Sequence, residues 1–287
     1  MAEERSSIII SVFSTTPGIG KTITAINLSA GLAKEGYKVC LADLDLQFGD
    51  VLNYLKLSAD NLKALSNKNI ANAQKVIDVD ADSFQVKDFL ITYRHQDLTF
   101  AVMPPPKYLT DAYQANVATI ENIVKQLTYF DFVVLDLSSA FSALNLAMLD
   151  ISTIINFIGV IDFLPALKNY KIGYDTLIRF NYEESKIRLV ENRADSQKLI
   201  DGKDVERLLG EPFYHRLPND FPAASKSINQ GLPLMFVAPD SKLTKSFWDL
   251  TGKYTNRTET DNENLNKVKT AGIGFFSRLL AFLFGKR

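Results

Sequence analysis

The feature that most constrains this chain is a short glycine-containing loop, Ser14-Thr15-Thr16-Pro17-Gly18-Ile19-Gly20-Lys21-Thr22, set between two regular segments. Residues 7–13 before it are an apolar, β-rich run. After it, Ile26, Leu28, Leu32 and Ala33 recur at helical spacing until Gly36. A strand turning into a helix through glycines is the setting in which a phosphate loop works. Gly18 and Gly20 permit torsions that a Cβ opposes, so the N–H groups of Gly18, Ile19, Gly20 and Lys21 can converge on a phosphate. Lys21 adds a point charge. Thr22 and Ile23 open a helix whose N-terminus is partly positive, and the Thr22 hydroxyl is placed for Mg²⁺. The full pattern G-x-x-x-x-G-K-[ST] would have glycine at position 15, where Thr15 stands, and Pro17 removes one N–H. The loop alone also suits an ordinary turn and helix cap.

Further along, residues 37–42, 98–103, 130–135, 151–161 and 186–190 read as strands. Residues 117–128, 144–149 and 165–180 read as helices, and the Asn-rich stretch 61–81 as short surface helices. Strands alternating with helices predict right-handed crossovers. The expected fold is a three-layer α/β/α class with a mainly parallel sheet, of the P-loop NTPase type with a deviant Walker A loop. Ligands belong at the C-terminal strand ends. With 287 residues, 46% of them hydrophobic, there is apolar surface for one large domain. The lone cysteine, Cys40, lies in an apolar run and reads as a buried strand thiol. It excludes an intrachain disulfide, and with an acidic start lacking an apolar h-region it predicts a cytoplasmic chain. A net charge of −1 gives no overall pull toward nucleic acid and argues against it as a partner.

A Mg²⁺ site beside the loop needs a carboxylate at a neighbouring strand end, and Val133-Val134-Leu135-Asp136 supplies one. The alternative is that Asp136 simply caps the next helix. The second strand runs into Asp43-Leu44-Asp45. Period-two alternation points Asp43 and Asp45 the same way, toward a γ-phosphate and its attacking water, unless they belong to a solvated acidic loop.

Together these pieces resemble the MinD/ParA superfamily of ATPases, over residues 8–250. Asp43-Leu44-Asp45-Leu46-Gln47-Phe48-Gly49-Asp50-Val51 is most similar to its TadZ/CpaE branch, which localises tight-adherence or type IV pilus assembly machinery, as are Leu217-Pro218-Asn219-Asp220 and residues 227–234. The resemblance implies ATP and Mg²⁺ as cofactors, with Lys21 and Thr22 on phosphate and metal. It assigns Asp43 and Asp136 to the Mg²⁺ environment and Asp45 to orienting the attacking water as the catalytic residue. It gives Asn192 to adenine and Pro218 to the loop covering the base. Two departures stand out. The family's signature lysine, which reaches phosphate across an ATP-sandwiched homodimer, falls at Thr16, so at most weak hydrolysis is expected. Leu137-Ser138-Ser139-Ala140 also lacks the Pro and Gly of a usual switch loop.

Residues 1–254 are the expected nucleotide-binding domain, 255–271 a polar linker, and 272–287 an amphipathic helix. After Glu263 no acid occurs, while Lys267, Lys269, Arg278, Lys286 and Arg287 are basic. Phe276, Leu279, Leu280 and Leu283 form one helical stripe, widened by Phe275, Phe282 and Phe284. A dozen apolar residues cannot span a bilayer of about 30 Å, but such a stripe can lie in an anionic lipid interface, as MinD's C-terminal helix does. The alternative is a last helix packed on the domain. The expected function is an ATP-binding organiser, peripheral on the inner face of the cell membrane, that localises pilus or secretion assembly proteins. The alternatives are MinD-like or flagellar positioning and a non-hydrolysing scaffold. A metal-inserting or metabolic enzyme is disfavoured, because His95 and His215 are far apart in sequence and no cysteine pair exists.

Overall fold

The computed structural model describes residues 7–57, 67–196 and 201–255. Its sheet contains β1 (Ile8–Phe13), β2 (Val39–Leu44), β3 (Ile91–His95), β4 (Leu98–Met103), β5 (Phe132–Leu137), β6 (Ile154–Gly159), β7 (Ile187–Asn192) and β8 (His215–Leu217). Their order is β3-β4-β2-β5-β1-β6-β7-β8. Neighbours are parallel except β3 and β4, which form an antiparallel hairpin at one edge. β1, β2 and β5 are buried at every position, which is why they read as continuous apolar runs.

The helices are α1 (Lys21–Lys34), α2 (Val51–Tyr54), α3 (Ile70–Val79), α4 (Leu109–Tyr113), α5 (Val117–Lys125) and α6 (Ala143–Ile151). They continue with α7 (Leu164–Arg179), α8 (Gly202–Leu209), α9 (Phe221–Gln230), α10 (Leu234–Val237) and α11 (Lys242–Thr255). Two hydrophobic cores separate them. On one face Ile9, Phe13, Cys40 and Val133 meet α3, α5, α6, α7 and α8. On the other Ile10, Val12, Leu41 and Val134 meet α1, α10 and α11. Alternate residues of each strand enter opposite cores, giving the expected three-layer arrangement.

Several expected boundaries move. The run 151–161 conceals a junction, because Ile151 ends α6 and β6 starts at Ile154. Between them the Ser152 hydroxyl contacts Met148 O and Ser11 Oγ. The strand expected at 130–135 is Phe132–Leu137, so Asp136 lies within it. Of the stretch 61–81, residues 61–66 lie outside the described residues; the rest holds α3, which packs Ile70, Ala71, Ala73 and Ile77 on a core while Lys75, Val76, Asp78 and Val79 stay exposed. Cys40 is a buried strand thiol whose pKa burial pushes up. Apart from Thr255, which closes α11, the expected linker and C-terminal helix lie outside the described residues, with Phe275, Phe276, Leu279, Leu280, Phe282 and Leu283. No helix of the described residues is long and apolar enough to cross a membrane.

Candidate functional site

β1 leads straight into the glycine loop. Gly20 caps α1 at φ 99° and ψ 26°, and Gly18 has φ 71°, both left-handed conformations that glycine adopts at little cost. Gly20 is constrained twice, because a Cβ there would lie 2.5 Å from Asn192 Nδ2. Thr15 departs from the usual glycine for a visible reason: its hydroxyl donates to Asn169 O on α7 at 2.8 Å, tying the loop to that helix.

The loop forms one wall of a cleft of about 950 Å³ at the C-terminal ends of the strands. Among the segments that meet there, five contribute Lys21 and Thr22 after β1, Asp45 after β2, Ser139 after β5, Asn192 at the end of β7 and Pro218 after β8. Gly18, Gly20 and Ile23 also line it, whereas Ile19 is buried and turns its carbonyl to Asn192 Nδ2 at 2.6 Å. Lys21 Nζ donates to Ser139 Oγ at 2.5 Å, and Ser139 Oγ donates to Thr16 O at 3.2 Å. Asn145, buried on α6, donates to Ser138 O at 3.0 Å and Ala140 O at 2.6 Å. This amide takes over the shaping of a loop that has no Pro or Gly.

Asp43 and Asp136 face each other in register across β2 and β5, and both are buried. Burial, together with the charge of Asp136, holds the Asp43 carboxyl well above the usual range. Burial pushes Asp136 up to about 7, against a hydrogen bond from Thr22 and the charge of Lys21. Lys21 is itself lowered by burial, opposed by Asp136 and Asp45. Two buried carboxylates this close cannot both ionise without a cation beside them.

The expected convergence of Asp43 and Asp45 is corrected. β2 ends at Leu44, so strand alternation does not extend to Asp45. Asp43 accepts Asp45 N at 3.3 Å and Val51 N at 3.0 Å, bracing the intervening loop from beneath. It does not line the cleft. Asp45 does, and accepts Phe48 N at 3.3 Å.

A Mg²⁺ ion fits beside Thr22, because Asp136 Oδ1 is buried without a hydrogen-bond partner next to the hydroxyl that bonds this carboxylate. A hydrated ion held by one hydroxyl, one carboxylate and phosphate oxygens is ordinary Mg²⁺ chemistry. Among the described residues no cluster of three His, Cys, Asp or Glu side chains competes for a metal. Sequence reasoning missed Ser139 and Asn145. A lone amide in the apolar helix Ala143–Ile151 was a signal for Asn145, whereas nothing local marked Ser139 as the partner of Lys21.

A family model described as "AAA domain" matches residues 7–161. The septum site-determining protein MinD of Thermotoga maritima is 24% identical over 251 residues, covering 84% of this chain and 86% of that protein. The chain spans about half the length of another curated relative, an uncharacterised Methanocaldococcus jannaschii protein 29% identical over 136 residues. Among solved structures, a ParA family ATPase from Chlorobium tepidum superposes with a TM-score of 0.74 at 21% identity, covering 85% of this chain and 98% of that one. MinD of Pyrococcus horikoshii complexed with Mg-ADP gives a TM-score of 0.72 at 19% identity, covering 89% and 98%. The family match takes in more than half of the chain, which therefore belongs to the AAA domain family, within the MinD/ParA superfamily of P-loop ATPases.

Proposed function

We propose that this chain binds ATP with Mg²⁺ in the cleft and acts as a nucleotide-gated spatial organiser on an anionic membrane surface. One observation carries the reading: phosphate-, metal- and base-type residues from five separate segments meet in one cleft. The backbone of residues 18–22 and Lys21 hold phosphates, Asn192 and Pro218 hold the base, and Asp45 orients water. Thr22 and Asp136 hold Mg²⁺, with Asp43 supporting from beneath. Bound Mg²⁺ supplies charge neutralisation between phosphate oxygens. Nucleotide joins two copies into a homodimer. Dimerisation pairs two weak C-terminal anchors, so that avidity fixes the protein peripherally to the inner face of the cell membrane.

The likeness of residues 43–51 to the TadZ/CpaE branch favours pilus or secretion assembly proteins as the recruited partners, and the MinD relatives support division or flagellar positioning as the alternative. Thr16, standing where the signature lysine would be, favours a second reading in which the nucleotide stabilises a scaffold without turnover. Calorimetry of ATP with Mg²⁺ on wild type and Lys21→Ala tests the assignment. Binding should be lost in the variant, and unchanged affinity refutes it. Phosphate release at saturating ATP then separates slow turnover from none.

A further inference from the structure

We propose that Arg193 is a second cation for the phosphate chain of the nucleotide held by Lys21, an inference that rests on the nucleotide-binding reading above. Among the described residues, the cleft-lining side chains include two cations, Lys21 and Arg193, against the carboxylates Asp45, Asp50 and Asp220. The buried carboxyls of Asp43 and Asp136 lie behind them. Mg·ATP is doubly negative, and Lys21 already interacts with Asp136 and Asp45, so one ammonium leaves the complex under-compensated over an acidic floor. A guanidinium on the opposite lip corrects the imbalance.

The backbone delivers it there. Arg193 follows Asn192 at the end of β7 with φ 55°, a left-handed conformation costly for a residue with a Cβ. Two bonds hold the turn: Arg193 N donates to Asn192 Oδ1 at 2.9 Å, and Ala194 N donates to Leu217 O at 2.9 Å. The turn sends the side chain over the phosphate loop, where an Nη2 hydrogen reaches Gly18 O at 3.1 Å. A guanidinium has five N–H donors and this bond uses one, leaving others for oxygen acceptors in the cleft. A brace for the loop would need only the Gly18 contact. A phosphate cation needs the charge as well.

The test is calorimetry of adenosine, AMP, ADP and ATP, with Mg²⁺, on the full chain as wild type, Arg193→Gln and Arg193→Lys. Glutamine removes the charge and keeps a shorter amide donor, and the adenosine arm reports any loss that comes from the Gly18 contact alone. ATP binding should weaken about ten- to hundredfold in Arg193→Gln, as for a lost charge-assisted hydrogen bond, with a smaller loss for AMP and none for adenosine. Arg193→Lys should recover part of it. Equal losses for adenosine and ATP would show a bracing role and overturn the inference. Unchanged ATP affinity in Arg193→Gln overturns it alone, leaving nucleotide binding intact. A wild type that binds none of the four overturns both.

Discussion

Replacing Gly20 by alanine separates two costs that the structure places on one atom. The first is torsional: at φ 99° an L residue is strained by about 1–2 kcal/mol. The second is a collision, because the new Cβ would lie 2.5 Å from Asn192 Nδ2, which is committed to Ile19 O at 2.6 Å. Displacing that amide loses a hydrogen bond worth about 0.5–1.5 kcal/mol, so the total is about 2–3 kcal/mol. Gly18 is the control. Its φ is 71° and a Cβ there meets nothing within 4 Å, so Gly18→Ala should cost only the torsional part. Urea unfolding of both variants measures the difference, provided the slope with denaturant is unchanged. A double-mutant cycle sharpens it. In an Asn192→Ala background the collision is gone, and Gly20→Ala should cost about 1 kcal/mol less than in wild type. Strict additivity, or equal costs at Gly18 and Gly20, would refute the claim that Asn192 closes onto this loop.

Four further outcomes are expected. Asn145→Ala should destabilise the fold by about 1–2 kcal/mol, as two bonds to loop carbonyls are lost, and should speed amide exchange at residues 138–140. Asp45→Ala should abolish any slow phosphate release and keep ATP bound, and turnover unaffected by the change would place the chemistry elsewhere. Deleting residues 272–287 should leave nucleotide binding intact and end flotation with anionic liposomes, whereas unfolding of the domain would show a packed helix. His215 is buried, with Nε2 on Ser246 O at 2.9 Å, and burial lowers its pKa to about 4. The unfolded chain then binds a proton that the folded one refuses. This contribution is present above about pH 6.5 and lost toward pH 4, by about 2–3 kcal/mol, relative to His215→Gln.

How far the sequence reaches is seen at particular elements. Buried parallel strands announce themselves as apolar runs, so β1, β2 and β5 were readable, and the glycine loop fixed their relation to α1. The β3–β4 hairpin was not, because β3 alternates buried and exposed positions and turns at Gln96, which adopts φ 50° without being glycine. Helix α11 carried a legible stripe of Leu243, Phe247, Leu250 and Tyr254, and α9 lay between an Asp220 cap and Gly231, yet neither was read as helix. In the site, Lys21, Thr22, Asp45, Asn192 and Pro218 were legible as motif positions. The Lys21–Ser139 bond, the Asn145 brace and the reorientation of Asp43 were not. Each depends on which strands become neighbours, information that sequence spacing does not hold.

The tie between Thr15 and α7 has a counterpart on the helix. A Cβ on Gly173 would lie 2.6 Å from Phe157 Cζ, 2.6 Å from the Thr15 methyl and 2.9 Å from its hydroxyl, so threonine fits at the head of the loop because α7 leaves that space empty. In evolutionary terms the dependence runs one way. A lineage with threonine at the loop cannot enlarge Gly173, and the buried Phe157 ring opposes a side chain there even where the loop keeps glycine. Aligned relatives with threonine at the loop should therefore keep glycine on the helix. A search pattern that insists on glycine at the head of the loop would pass over every chain of this kind.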